Sequence, residues 1–324
     1  MSEEKSQTNI PVIGKPIRYI KEKLYSFFQY LIGISKRILI PGTNGLSLYN
    51  LLDIYGTGII KGTFSSRASS IAYSFFVAIF PFLLFILNLI PIVPVEGFQT
   101  RFLIFIEGLL PPQTADFFYP VIADIAVNPR GGLLSAVFFL SVFLTANGVN
   151  AIFSAFGYSF HVTMNRSFFR QYMVALVVSI FLALLLLITV GVILYGEYLI
   201  NDLTGKAYIQ NDLFWISALQ VTIFVIMIYI ITAILYYYGT KEGKESRFFS
   251  LGALLTTLLF ILTTYLFGVY INNFSNYNEL YGSIGALLIM LLYIWINSNI
   301  LLLGFELNIS LQRLRDKSQH GTLT

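Results

Sequence analysis

The sequence predicts an all-α integral membrane protein: a six-transmembrane helix bundle with cytoplasmic N-terminal amphipathic helices and a helical first outer loop. Of the 324 residues, 56% are hydrophobic and 11% are charged, whereas soluble domains carry about 25% charged residues. Six apolar segments are each long enough to cross a hydrocarbon core of roughly 30 Å as a tilted helix. The Lys and Arg residues cluster in alternate loops between these segments, as the positive-inside rule requires.

The N-terminal segment, residues 1–67, is predicted to be cytoplasmic. Residues 15–34 and 48–60 show helical spacing of apolar residues, and the first of these stretches has a basic opposite face. Such a helix either lies on the membrane surface or packs on the rest of the protein. The first long apolar run starts only near residue 68, too late for a cleavable signal peptide, so we expect the first span to remain as an anchor.

The transmembrane domain is predicted to cover residues 68–308, followed by a cytoplasmic tail, 309–324. Pro81 lies inside the first span and is expected to kink it, since proline lacks the backbone donor and clashes with the preceding turn. In the first outer loop, Phe98–Leu110 and Thr114–Val127 are predicted helices separated by two prolines. The six predicted spans are 68–94, 133–156, 172–195, 214–238, 249–271 and 283–307.

The distribution of basic residues predicts the orientation. Only three of the twenty Lys and Arg residues, Arg101, Arg130 and Lys206, lie in the predicted outer loops. Both termini are therefore predicted to be cytoplasmic. The net charge of +4 is thereby explained by orientation, and no nucleic-acid partner is predicted.

Polar residues recur on one face of several predicted spans when each is placed at 100° per residue. One interpretation is hydrogen bonding and small-residue packing between helices. The other is a hydrated cavity or groove that admits a polar ligand such as a lipid headgroup. The candidate polar interior comprises Arg67, Ser70, Ser74, Pro81, Asn88, Asn147, Asn150, Thr257, Thr264, Ser283, Asn297, Asn299 and Glu306.

The ionisable residues lie at the ends of the spans. Neither Asp, Glu, Lys nor Arg occupies the centre of a predicted span, which argues against a proton relay or ion site at the midplane. Arg67 opens the first span and Glu306 closes the sixth, both at the predicted cytoplasmic boundary. They either pair with each other or extend separately into water.

No catalytic, metal or cofactor site is predicted, and the chain is not expected to be an enzyme. It has two histidines, His161 and His320, and no cysteine, whereas hydrolytic metal sites need clustered His and carboxylate ligands. Phosphate-binding loops, dinucleotide fingerprints and nucleophile elbows are also lacking in the sequence.

Several spans resemble a known family. The stretches LSLYNLLDIYGTGIIKGTFSSRASSIAYSFFVAIFPFLL, LLSAVFFLSVFLTANGVNAIFSAFGYSFHV and YGSIGALLIMLLYIWINSNILLLGFELN are similar to the YihY/virulence factor BrkB family of bacterial inner-membrane proteins. The resemblance covers roughly residues 46–310. It implies an inner (cell) membrane protein with six transmembrane helices and both ends in the cytoplasm. The resemblance also implies a link to envelope resistance and virulence. Some members of the family resemble transporters or lipid exporters, and the family has also carried an old ribonuclease label.

Two functions follow as expectations. The first is a transporter or lipid-handling protein of the bacterial envelope, whose partners are the lipid bilayer and a lipid or small amphiphile. The bundle would then rearrange around its polar interior, with flexible points at Pro81 and Gly282–Gly285. The second is a non-transporting envelope scaffold or resistance factor that acts through a protein partner bound by the amphipathic helices or the outer loop. The oligomeric state is not predicted.

Overall fold

The computed structural model describes most of the chain from residue 63 onward and short pieces before it. Some side chains at helix ends, including those of 83–90 and 313–320, lie outside the description. The described residues are 29–30, 32–39, 47–50, 52–53, 63–89, 98–109, 119–120, 134–159, 162, 166–205, 212–245, 247–273 and 283–320.

Helices make up nearly all of this described part, which confirms the predicted all-α class there. A 3₁₀ turn, Glu242–Glu245, connects two of them. The helices are α1 (Thr63–Leu89), α2 (Phe98–Leu109), α3 (Leu134–Gly157), α4 (Phe168–Gly205), α5 (Asp212–Gly239), α6 (Leu251–Asn273) and α7 (Ser283–His320).

Each predicted span corresponds to one of the helices α1 and α3–α7. By length and composition, five helices among the described residues could cross a membrane, and these lie within α3, α4, α5, α6 and α7. Helix α1 contains Pro81, where the expected kink stays a prediction, and it is not one of these five. The count of six spans therefore stays a prediction.

The six long helices pack in a ring. Helix α1 packs on α3, α3 on α4, α4 on α5, α5 on α6 and α6 on α7, and α7 returns to α1. The short helix α2 packs on α4 and corresponds to the predicted helix Phe98–Leu110, whose place in an outer loop stays a prediction. Its predicted companion, 114–127, lies outside the described residues except for 119–120, which are helical.

The surface of the ring is apolar. Phe181 and Ile188, near the middle of α4, are 59% and 62% exposed, which suits contact with lipid chains. Exposed aromatic residues lie near both ends of the same helix: Phe169 at one end and Tyr195 at the other. They are roughly 40 Å apart along the helix, close to the thickness of a bilayer with its headgroups.

The chain divides into two compact units, residues 1–57 and 58–324. In the first unit, residues 32–37, 48–50 and 52–53 are helical, and Leu39 and Ser47 form an isolated β-bridge. Residues 15–28 and 54–60 of the two predicted amphipathic helices lie outside the described residues. The extent of the cytoplasmic segment, 1–67, stays a prediction.

Candidate functional site

Arg67, in the first two turns of α1, forms a buried ion pair with Glu306 of α7. Its Nη1 lies 3.1 Å from Glu306 Oε1, and the two side chains are 8% and 5% exposed. Arg67 Nε also donates to the backbone carbonyl of Ala155, near the end of α3, at 2.8 Å. The guanidinium therefore connects three helices of the ring.

The carboxylate of Glu306 has a second donor. Ser159, two residues after the end of α3, donates its hydroxyl to Glu306 Oε2 at 2.6 Å. We call Arg67, Ser159, Glu306 and the Ala155 carbonyl the Arg67–Glu306 cluster. Because both carboxylate oxygens and two guanidinium nitrogens are bonded, much of the cost of burying the two charges is offset.

Aromatic rings lie beside this cluster. Phe156 of α3 stacks on Phe305 of α7 with ring centres 4.0 Å apart. The guanidinium of Arg67 lies over the ring of Phe64 at 5.2 Å. These contacts lie at the end of the bundle that the charge distribution predicts to be cytoplasmic. Arg67 Nη2 has no hydrogen-bond partner in the described part of the chain.

Helices α6 and α7 approach closely beside the cluster. Asn308 Oδ1 accepts from the backbone N–H of Gly252 at 2.8 Å, and its Nδ2 donates to Ser250 Oγ at 2.7 Å. The Tyr236 hydroxyl of α5 donates to the Leu301 carbonyl at 2.7 Å and lies 2.6 Å from Thr256 Oγ1. These bonds attach the second half of α7 to α5 and α6.

Two buried polar atoms near the middle of the bundle have no hydrogen-bond partner within the described part of the chain. Thr145 of α3 is 5% exposed, and its Oγ1 has no hydrogen-bond partner among the described residues. Asn297 of α7 donates its Nδ2 to the Tyr293 carbonyl at 2.9 Å, while its buried Oδ1 likewise has none there. Asn299 donates in the same way to the Trp295 carbonyl. Thr145 and Asn297 can therefore each bind one further polar group.

The predicted polar interior is brought together only in part. Arg67 and Glu306 form an ion pair, so they do not extend separately into water. Ser70, Asn147 and Thr264 are exposed, and the Thr264 hydroxyl lies 2.7 Å from the Tyr293 hydroxyl of α7; whether these three share an interior with that pair stays a prediction. Helical spacing identifies a face of each helix but not which face is packed.

The remaining predicted residues have individual environments. Ser74 and Pro81 are half-buried in α1. Asn150 accepts from Gln171 of α4 at 2.9 Å, and buried Thr257 donates to the carbonyl of Ala253 in its own helix. Asn88 and Ser283 are helical, and their side chains lie outside the described residues.

Sequence reasoning missed three features of the structure. Ser159 follows a helix end and belongs to no periodic face, so no signal singled it out. Thr145 lies close to Asn147 and Asn150 in the sequence but was not included in the polar face. The ion pair between Arg101 of α2 and Glu197 of α4 joins two helices whose contact only the tertiary structure defines. In the parts of the chain that are described, no group of three or more His, Cys, Asp or Glu residues could hold a metal ion.

Comparison with known proteins identifies the same family as the resemblance of the spans. The family model described as "Virulence factor BrkB" matches residues 58–322. The chain is 27% identical to the "Putative ribonuclease-like protein YfkH" of Bacillus subtilis (strain 168), over 76% of this chain and 90% of that protein.

Membrane proteins of other bacteria are similar as well. The chain is 27% identical to a "UPF0761 membrane protein" of Coxiella burnetii (strain Dugway 5J108-111), over 74% of this chain and 84% of that protein. It is 25% identical to a protein of the same description from Aggregatibacter aphrophilus (strain NJ8700), over 78% and 88%. No solved structure matches the chain.

Proposed function

The chain belongs to the virulence factor BrkB family, and we propose that it is a transporter or lipid-handling protein of the bacterial cell (inner) membrane, with both termini cytoplasmic. Its cargo is a lipid or another small amphiphile, which passes the polar groups of the bundle while the helices rearrange. The first span is α1, which brings the number of spans to six. The chain is not an enzyme in this proposal, and it binds no cofactor.

One observation carries the proposal: Thr145 and Asn297, at mid-helix positions of a membrane bundle, each have a buried polar atom with no partner among the residues that the structure describes. A buried polar atom without a partner costs free energy, most of all where water is excluded. Polar groups that serve only as connections between helices would be expected to be paired. Helices α3 and α7, which carry these atoms, both pack against α1. A polar headgroup or water that reaches them would supply the missing hydrogen bonds.

The test uses vesicles reconstituted with the purified protein and a phospholipid that carries a fluorescent headgroup. A reductant added outside quenches the outer-leaflet label, and slower quenching reports movement from the inner leaflet. We expect movement faster than in protein-free vesicles. Equal rates with and without protein, for this lipid and for labelled lipids of the other major headgroups, would contradict the proposal.

A matched pair of variants separates a ligand-binding role from a structural one. Thr145→Val removes a buried hydroxyl that has no partner among the described residues, whereas Thr232→Val in α5 removes a buried hydroxyl that donates to the carbonyl of Ile228. Thr145→Val should leave the bundle as stable as the parent or more so, and still lower lipid movement at least several-fold. Thr232→Val should keep lipid movement. If Thr145→Val moves lipid at the parental rate, the proposed role of this group is wrong.

A further inference from the structure

The short helix α2 has two faces with different surroundings. Phe102 is completely buried and Leu103 is 7% exposed, whereas Arg101, Ile104 and Glu107 are exposed. An isolated helix of 12 residues is marginal in water, so α2 depends on what its apolar face contacts.

That apolar face belongs to a core cluster built from the long helices. Phe102 and Leu103 are members of one apolar cluster together with Leu187 and Val190 of α4 and Met290 of α7. Met290 is about 24 Å along α7 from Glu306. We call this end of the bundle, away from the Arg67–Glu306 cluster, the α2 end.

Among the described residues, an ion pair attaches the exposed side of α2 to α4. Arg101 Nη1 lies 2.5 Å from Glu197 Oε2 of α4, and Gln220 of α5 donates to Glu197 Oε1 at 2.8 Å. The Arg101 side chain is 53% exposed and the Glu197 side chain 16%, so water and salt screen the pair from the side of the arginine. The pair is therefore screened more than the buried pair at the opposite end.

The opposite end is held far more strongly. There the pair is buried, both charges have additional hydrogen bonds, and three segments of the bundle are joined. Separating that pair would leave two buried charges without compensation. Moving α2 exposes the apolar side chains of its buried face, Phe102 and Leu103 among those described, and separates an ion pair whose arginine is already in contact with water. The α2 end therefore opens at the lower cost.

We propose that α2 is a lid: Phe102 and Leu103 close the α2 end of the bundle, and the Arg101–Glu197 pair holds the lid shut. Access to the interior is from this end, while the Arg67–Glu306 cluster stays closed. As a route for cargo, this inference rests on the proposed function.

The test measures the labelling rate of single cysteines, because the natural chain has none. Val190→Cys places a thiol in the cluster beneath the lid, and Val178→Cys places one on the same helix in the cluster of the other end. The two valines are matched, since each is 2% exposed. The protein is held in nanodiscs, so that a water-soluble maleimide reaches both ends.

Each of the two cysteine variants is combined with Arg101→Gln or, as a second change to the same ion pair, with Glu197→Gln. We expect either change to raise the labelling rate of Val190→Cys about two- to fivefold, the range that loss of an exposed ion pair supports. The rate of Val178→Cys should not change. If the labelling rate of Val190→Cys is unchanged in both variants, the lid proposal is wrong. It is also wrong if the rates of Val190→Cys and Val178→Cys rise equally, because that result would indicate a general loosening of the bundle.

This assay needs neither cargo nor transport, so the two proposals can fail separately. If the vesicles move no lipid but the Val190→Cys rate rises, the proposed function is wrong and the lid stands. If lipid moves and the Val190→Cys rate does not respond, the lid is wrong and the proposed function stands.

Discussion

Arg67 and Glu306 are 239 residues apart in the chain and form a buried ion pair, with Nη1 and Oε1 separated by 3.1 Å. The pair joins the first and last long helices of the ring, and Ala155 and Ser159 attach α3 and the residues after it to the same cluster. The contact therefore closes the ring of helices at one end.

Glu306→Gln should destabilise the protein strongly, because Arg67 is then buried without its counter-charge. Loss of one member of a buried pair costs about 3–5 kcal/mol of the free energy of unfolding. The measurement is reversible unfolding of the purified protein in mixed micelles with increasing SDS. The control is Arg101→Gln, which breaks an exposed pair and should cost about 1 kcal/mol or less.

The double variant Arg67→Met with Glu306→Leu should be more stable than Glu306→Gln alone, since no uncompensated charge remains. Equal destabilisation by the double variant and by Glu306→Gln would show that the ion pair is not what stabilises this end of the bundle.

Gly304→Ala should destabilise the packing of α6 on α7. A Cβ at this position would overlap Thr256 Oγ1 and would lie 2.5 Å from the Tyr236 hydroxyl and 2.8 Å from the Gly252 carbonyl oxygen. Overpacking of this kind costs about 1–3 kcal/mol, measurable by the same SDS titration.

The matched control for Gly304→Ala is Gly268→Ala in α6, where a new Cβ has no neighbour within 4 Å. This change should be neutral or stabilise by about 0.5–1 kcal/mol, because alanine favours the helix. If both substitutions have the same effect, the close approach at Gly304 is not under steric constraint.

Tyr236→Phe should remove the hydroxyl that contacts Thr256 and the Leu301 carbonyl and leave the ring packing against Phe156 and Phe305 in place. We expect a loss of about 1–3 kcal/mol, since buried polar groups lose their partner. Tyr238→Phe is the comparison, because that ring is 37% exposed. A loss that is as large for Tyr238→Phe would contradict the role of the buried hydroxyl.

Asp202→Cys and Lys241→Cys should be labelled from opposite sides of the membrane. Both residues are exposed, one near the end of α4 and the other just after α5. The distribution of Lys and Arg predicts Asp202 outside and Lys241 in the cytoplasm. An impermeant maleimide should label Asp202→Cys in intact cells and Lys241→Cys only after permeabilisation. The reverse pattern would invert the predicted orientation.

The helix positions were predictable because the bilayer sets the length of apolar segments. The predicted span 133–156 corresponds to Leu134–Gly157, and 214–238 corresponds to Asp212–Gly239. The prediction was less accurate where helices continue past the apolar run. Helix α4 reaches Gly205 and α7 reaches His320, because polar helix-forming residues extend a helix beyond the membrane without a change in hydropathy.

The composition and order of residues by themselves determined the class of protein, the approximate helices and the placement of Arg67 and Glu306 at one predicted level. These properties depend on local hydropathy and charge, which can be read along the chain. Only the tertiary structure decided that Arg67 and Glu306 pair, that Ser159 completes the cluster and that Phe102 is buried beside α4. It also showed that Ser70, Asn147 and Thr264 are exposed. Such contacts depend on the rotation and neighbours of each helix, and residues far apart in the chain determine both.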